Sequence, residues 1–230
     1  MVKRYTCKGL LFDMDGTIID STNAIVKHWH EMGKELGVDP NVILATSHGR
    51  RSIDVLKIYD PSMATPERVA QVEAQIPKRF GRDAEMIPGA RNLIALLNEA
   101  GASWAIVTSG TRPLVQGWLD VLRIAQPKHV VVAEDVENGK PDPACYRLGR
   151  ARLGLSAEAA TLVIEDAPAG IRAGKAAGCQ VVGLTTTHSA QQVREAGADW
   201  IIPDLRSITF LGQDKDTGDL HLEIKHFLLS

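Results

Sequence analysis

Gly9-Leu10-Leu11-Phe12-Asp13-Met14-Asp15-Gly16-Thr17 is the stretch on which the reading of this chain turns. Four consecutive apolar residues read as a short strand buried on both faces. The run ends on two carboxylates separated by one residue, and desolvating such a pair is costly without a cation. A calcium loop of the EF-hand kind does not explain them. That loop needs its glycine sixth and a glutamate twelfth, whereas counting from Asp13 the glycine is fourth and the twelfth residue is Ala24.

Outward from this strand the pattern changes twice. Residues 23–36 carry Ile25, Trp29, Met32 and Leu36 at helical spacing. Helical patterning continues through Ile53, Val55, Leu56, Ile58, Val69, Val72 and Ile76, broken by Pro40, Pro61, Pro66 and Pro77, with no convincing strand between Ser21 and Glu85. From Pro88 onward, helices over 90–99, 114–122, 142–153, 169–177 and 190–196 alternate with strands over 104–107, 130–132, 162–164, 181–184 and 200–202. Such alternation predicts an α/β fold, a doubly wound and mostly parallel sheet. Residues 208–211 and 220–224, around the polar stretch 214–219, predict a C-terminal β-hairpin. The expected domains are a core of residues 1–20 and 86–230 and an all-helical cap domain over 21–85. An insertion directly after a central strand sits over the edge where open sheets bind ligands, so the cap is expected to act as a lid.

Composition narrows the function classes. With 44% hydrophobic and 23% charged residues the chain has the balance of a globular protein, and its net charge of −2 supplies no field for nucleic acid or an anionic membrane. Its apolar runs, such as Val130-Val131-Val132-Ala133, are far shorter than the roughly 20 residues of a membrane helix. Residues 1–12 are too weakly apolar for a signal peptide. Cys7, Cys145 and Cys179 are odd in number and widely spaced, which argues for reduced thiols in a cytoplasmic protein.

Three further signals follow predicted strands. Val107-Thr108-Ser109-Gly110-Thr111-Arg112 opens a helix with hydroxyls and a glycine, which suits either an anion site or an ordinary cap before Pro113. Gly139-Lys140-Pro141-Asp142-Pro143 fixes one lysine between prolines, where it is either a phosphate partner or simply solvated. Ile164-Glu165-Asp166-Ala167-Pro168-Ala169-Gly170 brings a second acidic pair to the same edge, unless Asp166 only caps the next helix. Up to four carboxylates would then converge, a hard oxygen set suited to Mg²⁺.

D-M-D-G-T, V-T-S-G, G-K-P-D-P and E-D-A-P-A-G, in this order, resemble the four motifs of the haloacid dehalogenase superfamily. Ser47-His48-Gly49-Arg50-Arg51, Thr108-Ser109-Gly110-Thr111-Arg112 and residues 165–179 resemble its fungal glycerol-phosphate and 2-deoxyglucose-6-phosphate phosphatases. The resemblance implies Asp13 as nucleophile and Asp15 as general acid and base. It implies Mg²⁺ held by Asp13, the main-chain carbonyl of Asp15 and Asp166, with Glu165 a direct or water-mediated ligand. Thr108, Ser109, Gly110 and Lys140 would hold the phosphoryl oxygens. Selectivity would come from His48, Gly49, Arg50 and Arg51, with Arg51 expected on the substrate. The plainer readings are arginines solvated at a helix start, a packing histidine, and Asp20 and Ser21 capping the first helix. The implied partner is a small phosphorylated metabolite, glycerol phosphate or a sugar phosphate, acted on by a monomer without nucleic acid or membrane. A β-phosphoglucomutase-like isomerase is the alternative chemistry, with the two arginines holding a second phosphate.

Overall fold

The computed structural model describes residues 2–225. The chain opens with strands β1 (Val2–Cys7) and β2 (Gly9–Phe12), and β3 (Ile19–Asp20) leads it into a helical insert. The insert comprises α1 (Thr22–Leu36), α2 (Pro40–Ser47), α3 (Ser52–Tyr59), α4 (Pro66–Glu73) and α5 (Gln75–Phe80), and β4 (Glu85–Met86) returns the chain from it. There follow α6 (Ala90–Glu99), β5 (Trp104–Val107), α7 (Arg112–Leu122), β6 (Val130–Val131), α8 (Ala144–Arg152), β7 (Thr161–Glu165), α9 (Pro168–Ala176), β8 (Gln180–Leu184), α10 (Ala190–Glu195) and β9 (Trp200–Ile202). The last described elements are β10 (Ile208–Gln213) and β11 (Leu220–Lys225).

Six strands form one parallel sheet in the order β6-β5-β2-β7-β8-β9. The unbroken apolar runs are explained by burial on both sides. Leu10, Phe12, Ile106, Leu162 and Ile164 face α6 and α7 through Leu93, Leu97 and Trp118. Leu11, Ala105, Val107, Val163 and Val181 face α8, α9 and α10 through Tyr146, Ile171 and Val193. Leu11 pairs with Ala105 on one side and Val163 on the other, so β2 lies where the chain reverses its direction of travel across the sheet. That switch point opens a crevice at the carboxyl ends of the strands.

The helical insert has its own apolar cluster of Trp29, Met32, Ile43, Val55, Leu56 and Val69. Pro40, Pro61 and Pro66, read from sequence as breaks, occupy first-turn positions of α2, a 3₁₀ turn and α4. The missing proline N–H has no intrahelical partner to lose there. β3 and β4 pair antiparallel, Ile19 with Met86 and Asp20 with Glu85, so the two crossings into and out of the insert lie side by side.

The tail departs from expectation. β10 and β11 do pair antiparallel, but β11 also pairs with β1, making a three-stranded sheet in the order β1-β11-β10. β1 carries no apolar alternation, since Val2, Lys3 and Arg4 are exposed and only Cys7 is fully buried, so its sequence gives no strand signal. The three cysteines are buried and unpaired. Among the described residues, no helix is long and apolar enough to cross a membrane.

Candidate active site

The carboxyl edge of the sheet sets the floor of a cavity. Asp13 stands one residue beyond β2, with its amide donating to the Ile164 carbonyl at 2.9 Å. Glu165 ends β7 and Asp166 follows it. Lys140 Nζ reaches in from the loop before α8 and donates to Asp13 Oδ1 at 2.6 Å, to Glu165 Oε1 at 2.6 Å and to the Val107 carbonyl at 3.2 Å. Burial alone would pull the Lys140 pKa down, but the two carboxylates hold it above its ordinary value. Asp13 is pushed well up by burial, opposed by Lys140. Asp166 is raised to about 7 by burial and by the Glu165 charge.

Each acid is fixed differently. Glu165 Oε1 also accepts the Tyr146 hydroxyl at 3.0 Å, and Oε2 accepts the amides of Asp166 and Ala167, both at 2.9 Å. Gly170 makes room for it, since a Cβ there would run into the Glu165 carboxylate. Asp166 accepts the hydroxyls of Thr17 and Thr187. Asp15 points elsewhere. Its Oδ1 accepts Ser21 Oγ at 2.5 Å, and burial raises its pKa. Ser21 makes no helix-capping bond, so the capping reading of that residue is corrected. Asp20 does cap, accepting the Thr22 amide at 3.0 Å.

Side chains of the insert roof the floor. The cavity measures about 80 Å³ and is lined by Asp13, Asp15, Thr108, Ser109, Gly110 and Asp166 from the core. The insert contributes Ser47, His48, Gly49, Arg50, Ser52 and Glu73. Thr108 Oγ1 accepts the Gly110 amide at 3.0 Å, which leaves the hydroxyl hydrogen for another acceptor. Ser109 Oγ donates to the Gly49 carbonyl at 2.9 Å across the seam. Gly49 has φ of 73°, and a Cβ there would meet Ala167 Cβ at 2.6 Å, so only glycine lets the insert come this close.

Two expectations from sequence are corrected. Arg51 does not line the cavity. Its guanidinium grips Asp54 (Nε to Oδ2 at 2.7 Å) and donates to the carbonyls of Val136 at 2.8 Å and Glu137 at 2.9 Å, fastening the insert to the core. Its neighbour Arg50 is the arginine in the cavity. The four carboxylates do not all converge either: Asp13, Glu165 and Asp166 offer oxygens within 4.8 Å of one another, and the Asp15 side chain lies outside that set. His48 does line the cavity, with Nδ1 3.3 Å from the Leu44 carbonyl and its ring edge-on to His188.

Ser52, Glu73 and Thr187 are not among the candidates read from sequence, and Ser47 enters there only as the first residue of the Ser47–Arg51 stretch. Thr185-Thr186-Thr187-His188 directly follows β8, which runs parallel to β7, so a run of hydroxyls at that edge was a usable signal. Glu73 had none, being one of many acidic residues on helical stretches.

Three buried carboxylates within 4.8 Å form an all-oxygen donor set with too little positive charge for its own burial, as the raised Asp13 and Asp166 attest. A hard divalent cation fits such a set. Glu165 accepts two protein donors on each oxygen, against one hydroxyl on each oxygen of Asp166 and Lys140 on Asp13, so Asp13 and Asp166 keep more acceptor capacity for direct ligation.

A parallel α/β core with an acidic cluster and a lysine at its carboxyl edge, under a helical roof, defines a class, and the comparisons agree with it. The family profile of haloacid dehalogenase-like hydrolases matches residues 10–184, and the chain belongs to that family. Within it the chain sits among phosphatases, which hydrolyse phosphoric monoesters. It is 38% identical over 226 residues to glycerol-1-phosphate phosphohydrolase 2 of Saccharomyces cerevisiae, covering 95% of this chain and 90% of that one. It is 35% identical over 219 residues to hexitol phosphatase A of Escherichia coli, covering 94% and 99%. A solved hydrolase from Pseudomonas syringae superposes with a TM-score of 0.74 at 26% identity, covering 86% of this chain and 94% of that one.

Proposed function

We propose that the protein is a Mg²⁺-dependent phosphatase of small phosphomonoesters, with glycerol phosphate the best-fitting substrate, working through an aspartyl-phosphate on Asp13. The observation that carries the reading is the Asp13–Lys140 contact on the floor of a cavity of about 80 Å³ that the insert, taken here as a cap domain over 21–85, helps to line.

Asp13 and Asp166, with the main-chain carbonyl of Asp15, would hold Mg²⁺, and Glu165 would be reached through water. Bound there, Mg²⁺ supplies positive charge that keeps Asp13 ionised and offsets the phosphate dianion. An Asp13 oxygen attacks phosphorus as the ester oxygen departs with its bonding pair. Asp15 gives that oxygen a proton. Burial raises its pKa and so favours the protonated form, and Ser21 occupying Oδ1 as a donor leaves Oδ2 for the proton. Asp15 then takes a proton from water, which attacks the acyl phosphate and frees Asp13 and inorganic phosphate. Lys140, Thr108 and the amides of Ser109 and Gly110 stabilise the phosphoryl oxygens. The Gly110 amide must exchange its bond to Thr108 to do so.

Relatives named glycerol-1-phosphate phosphohydrolase, hexitol phosphatase and 2-deoxyglucose-6-phosphate phosphatase support a polyol or sugar phosphate, and the small cavity favours the three-carbon end of that range. The isomerase alternative loses one of its two cap arginines, because Arg51 is engaged at the seam. Three buried free thiols suit a reducing compartment such as the cytoplasm. Phosphate release from glycerol phosphates, 2-deoxyglucose 6-phosphate, hexitol phosphates and phosphoglycolate, with Mg²⁺ and with excess EDTA, tests the reading. Release should require Mg²⁺ and be fastest with glycerol phosphate; full activity in EDTA would remove the metal assignment.

A further inference from the structure

Three polar groups in the roof of the cavity have no part in the chemistry at Asp13. Ser47, at the end of α2, is 5% exposed and lines the cavity, yet its hydroxyl has no partner among the described residues. Glu73, at the end of α4, is 3% exposed and lines the same space. Its Oε1 accepts Ser52 Oγ at 2.5 Å and its Oε2 accepts the Thr111 amide at 2.8 Å. A carboxylate has about four lone-pair positions, so these two donors leave acceptor capacity on both oxygens. A buried hydroxyl without a partner is rare in a folded protein and needs an explanation. Glu73 offers no donor while it is ionised, so its complement is a ligand that brings hydrogens to donate. A carboxylate or second phosphate at this end of the ligand would meet acceptor against acceptor.

We propose that Ser47 and Glu73, the latter held by Ser52, are the specificity-determining residues of the cap. Glu73 accepts a hydrogen bond from a hydroxyl on the carbon chain of the phosphate ester, and Ser47 bonds a second hydroxyl. The inference rests on the phosphatase reading and narrows its substrate class to short polyhydroxylated phosphomonoesters, against esters with an apolar or anionic tail. A site whose buried polar groups need a substrate hydroxyl rejects an analogue lacking it, because those groups are left unpaired.

The test is kcat/KM for phosphate release from glycerol phosphate, n-propyl phosphate, phosphoglycolate and p-nitrophenyl phosphate, all with Mg²⁺, for the wild type, Ser47→Ala and Glu73→Gln. The wild type should prefer glycerol phosphate to n-propyl phosphate by more than about tenfold, the worth of one hydrogen bond. Each variant should reduce glycerol phosphate turnover about tenfold, lose less on p-nitrophenyl phosphate and narrow the preference over n-propyl phosphate. Glu73→Gln, which removes the charge and adds a donor, should also raise phosphoglycolate relative to glycerol phosphate. Ser47→Ala removes a hydroxyl that has no partner, so its melting temperature should match or exceed that of the wild type while its selectivity falls. A purely structural role would move stability and all four substrates together. Equal losses on every ester, or a wild type that does not distinguish glycerol phosphate from n-propyl phosphate, overturns the inference and leaves the phosphatase reading standing. No release from any ester defeats that reading and this inference with it.

Discussion

Asp13, Thr108 and Asp166 each stand one residue beyond a strand of the parallel sheet, whereas Ser47, Arg50 and Glu73 stand at or beside helix ends in the insert. Parallel strands deliver whatever follows them to one edge, so a carboxylate or hydroxyl just after an apolar run is delivered to the site by topology alone. A helix end gives no such assurance. Which side chain faces the cavity depends on how the helix is rotated against its neighbours, and adjacent residues diverge: Arg50 enters the cavity while Arg51 turns to Asp54 and the core carbonyls. The floor thus gathers its charge at the buried strand ends, and the roof adds Arg50, Glu73 and hydroxyls for hydrogen bonding, with mechanical fastening at Arg51.

The sharpest way to break this contrast is at the floor. Asp13→Asn should reduce phosphate release at least about a thousandfold, with no phosphoenzyme trapped on rapid acid quench. Asp15→Asn should lower glycerol phosphate turnover by about 10²–10⁴ yet spare more of the activity on p-nitrophenyl phosphate, whose leaving group needs no proton. Near-normal turnover of glycerol phosphate by either variant would mean that the floor is not where the chemistry happens.

Lys140→Met strips the only positive side chain that contacts Asp13 and Glu165 among the described residues. Leaving two buried carboxylates without it should destabilise the fold by about 3–5 kcal/mol in urea titrations without added metal. A loss under about 1 kcal/mol would show that the pair is solvated, as exposed ion pairs are.

At the seam, Arg51→Ala should destabilise by about 2–3 kcal/mol, since it frees Asp54 and core carbonyls from a charged donor. Losses on glycerol phosphate and p-nitrophenyl phosphate should be proportionate; a loss confined to glycerol phosphate would return Arg51 to the substrate.

The smallest effect at neutral pH lies inside the insert. His28 is buried against Trp29, and burial lowers its pKa from 6.5 to about 4. Because the unfolded chain takes up this proton first on acidification, stability is fully present above about pH 6.5 and is lost as pH falls toward 4. The loss should be about 3 kcal/mol by pH 4. His28→Gln should flatten that part of the stability profile, and an unchanged slope would assign it to other groups.

The same contrast explains what could be read without coordinates. The sheet, its helices and the floor acids follow from apolar runs and from what stands after them. The placing of Arg51, the Ser21–Asp15 bond and the Ser47–Ser52–Glu73 roof depend on helix packing, which short-range pattern does not encode. β1 escaped because its outer residues are exposed and polar. Its partner β11 shows clean alternation, with Leu220, Leu222 and Ile224 buried, and it alone was legible.

That pairing of β1 with β11 fixes an order of events in biosynthesis. Thr6 and His221, 215 positions apart, share a hydrogen bond across it. On the ribosome β1 emerges before β11 and has no strand to join until the long segment between them has been made. Its exposed, charged outer half suits that interval, since a strand that must wait unpaired is safer with lysine and arginine on it than with an apolar edge. The three-stranded sheet can close only after β11 has been made, by which point the strands of the parallel sheet are already available to one another.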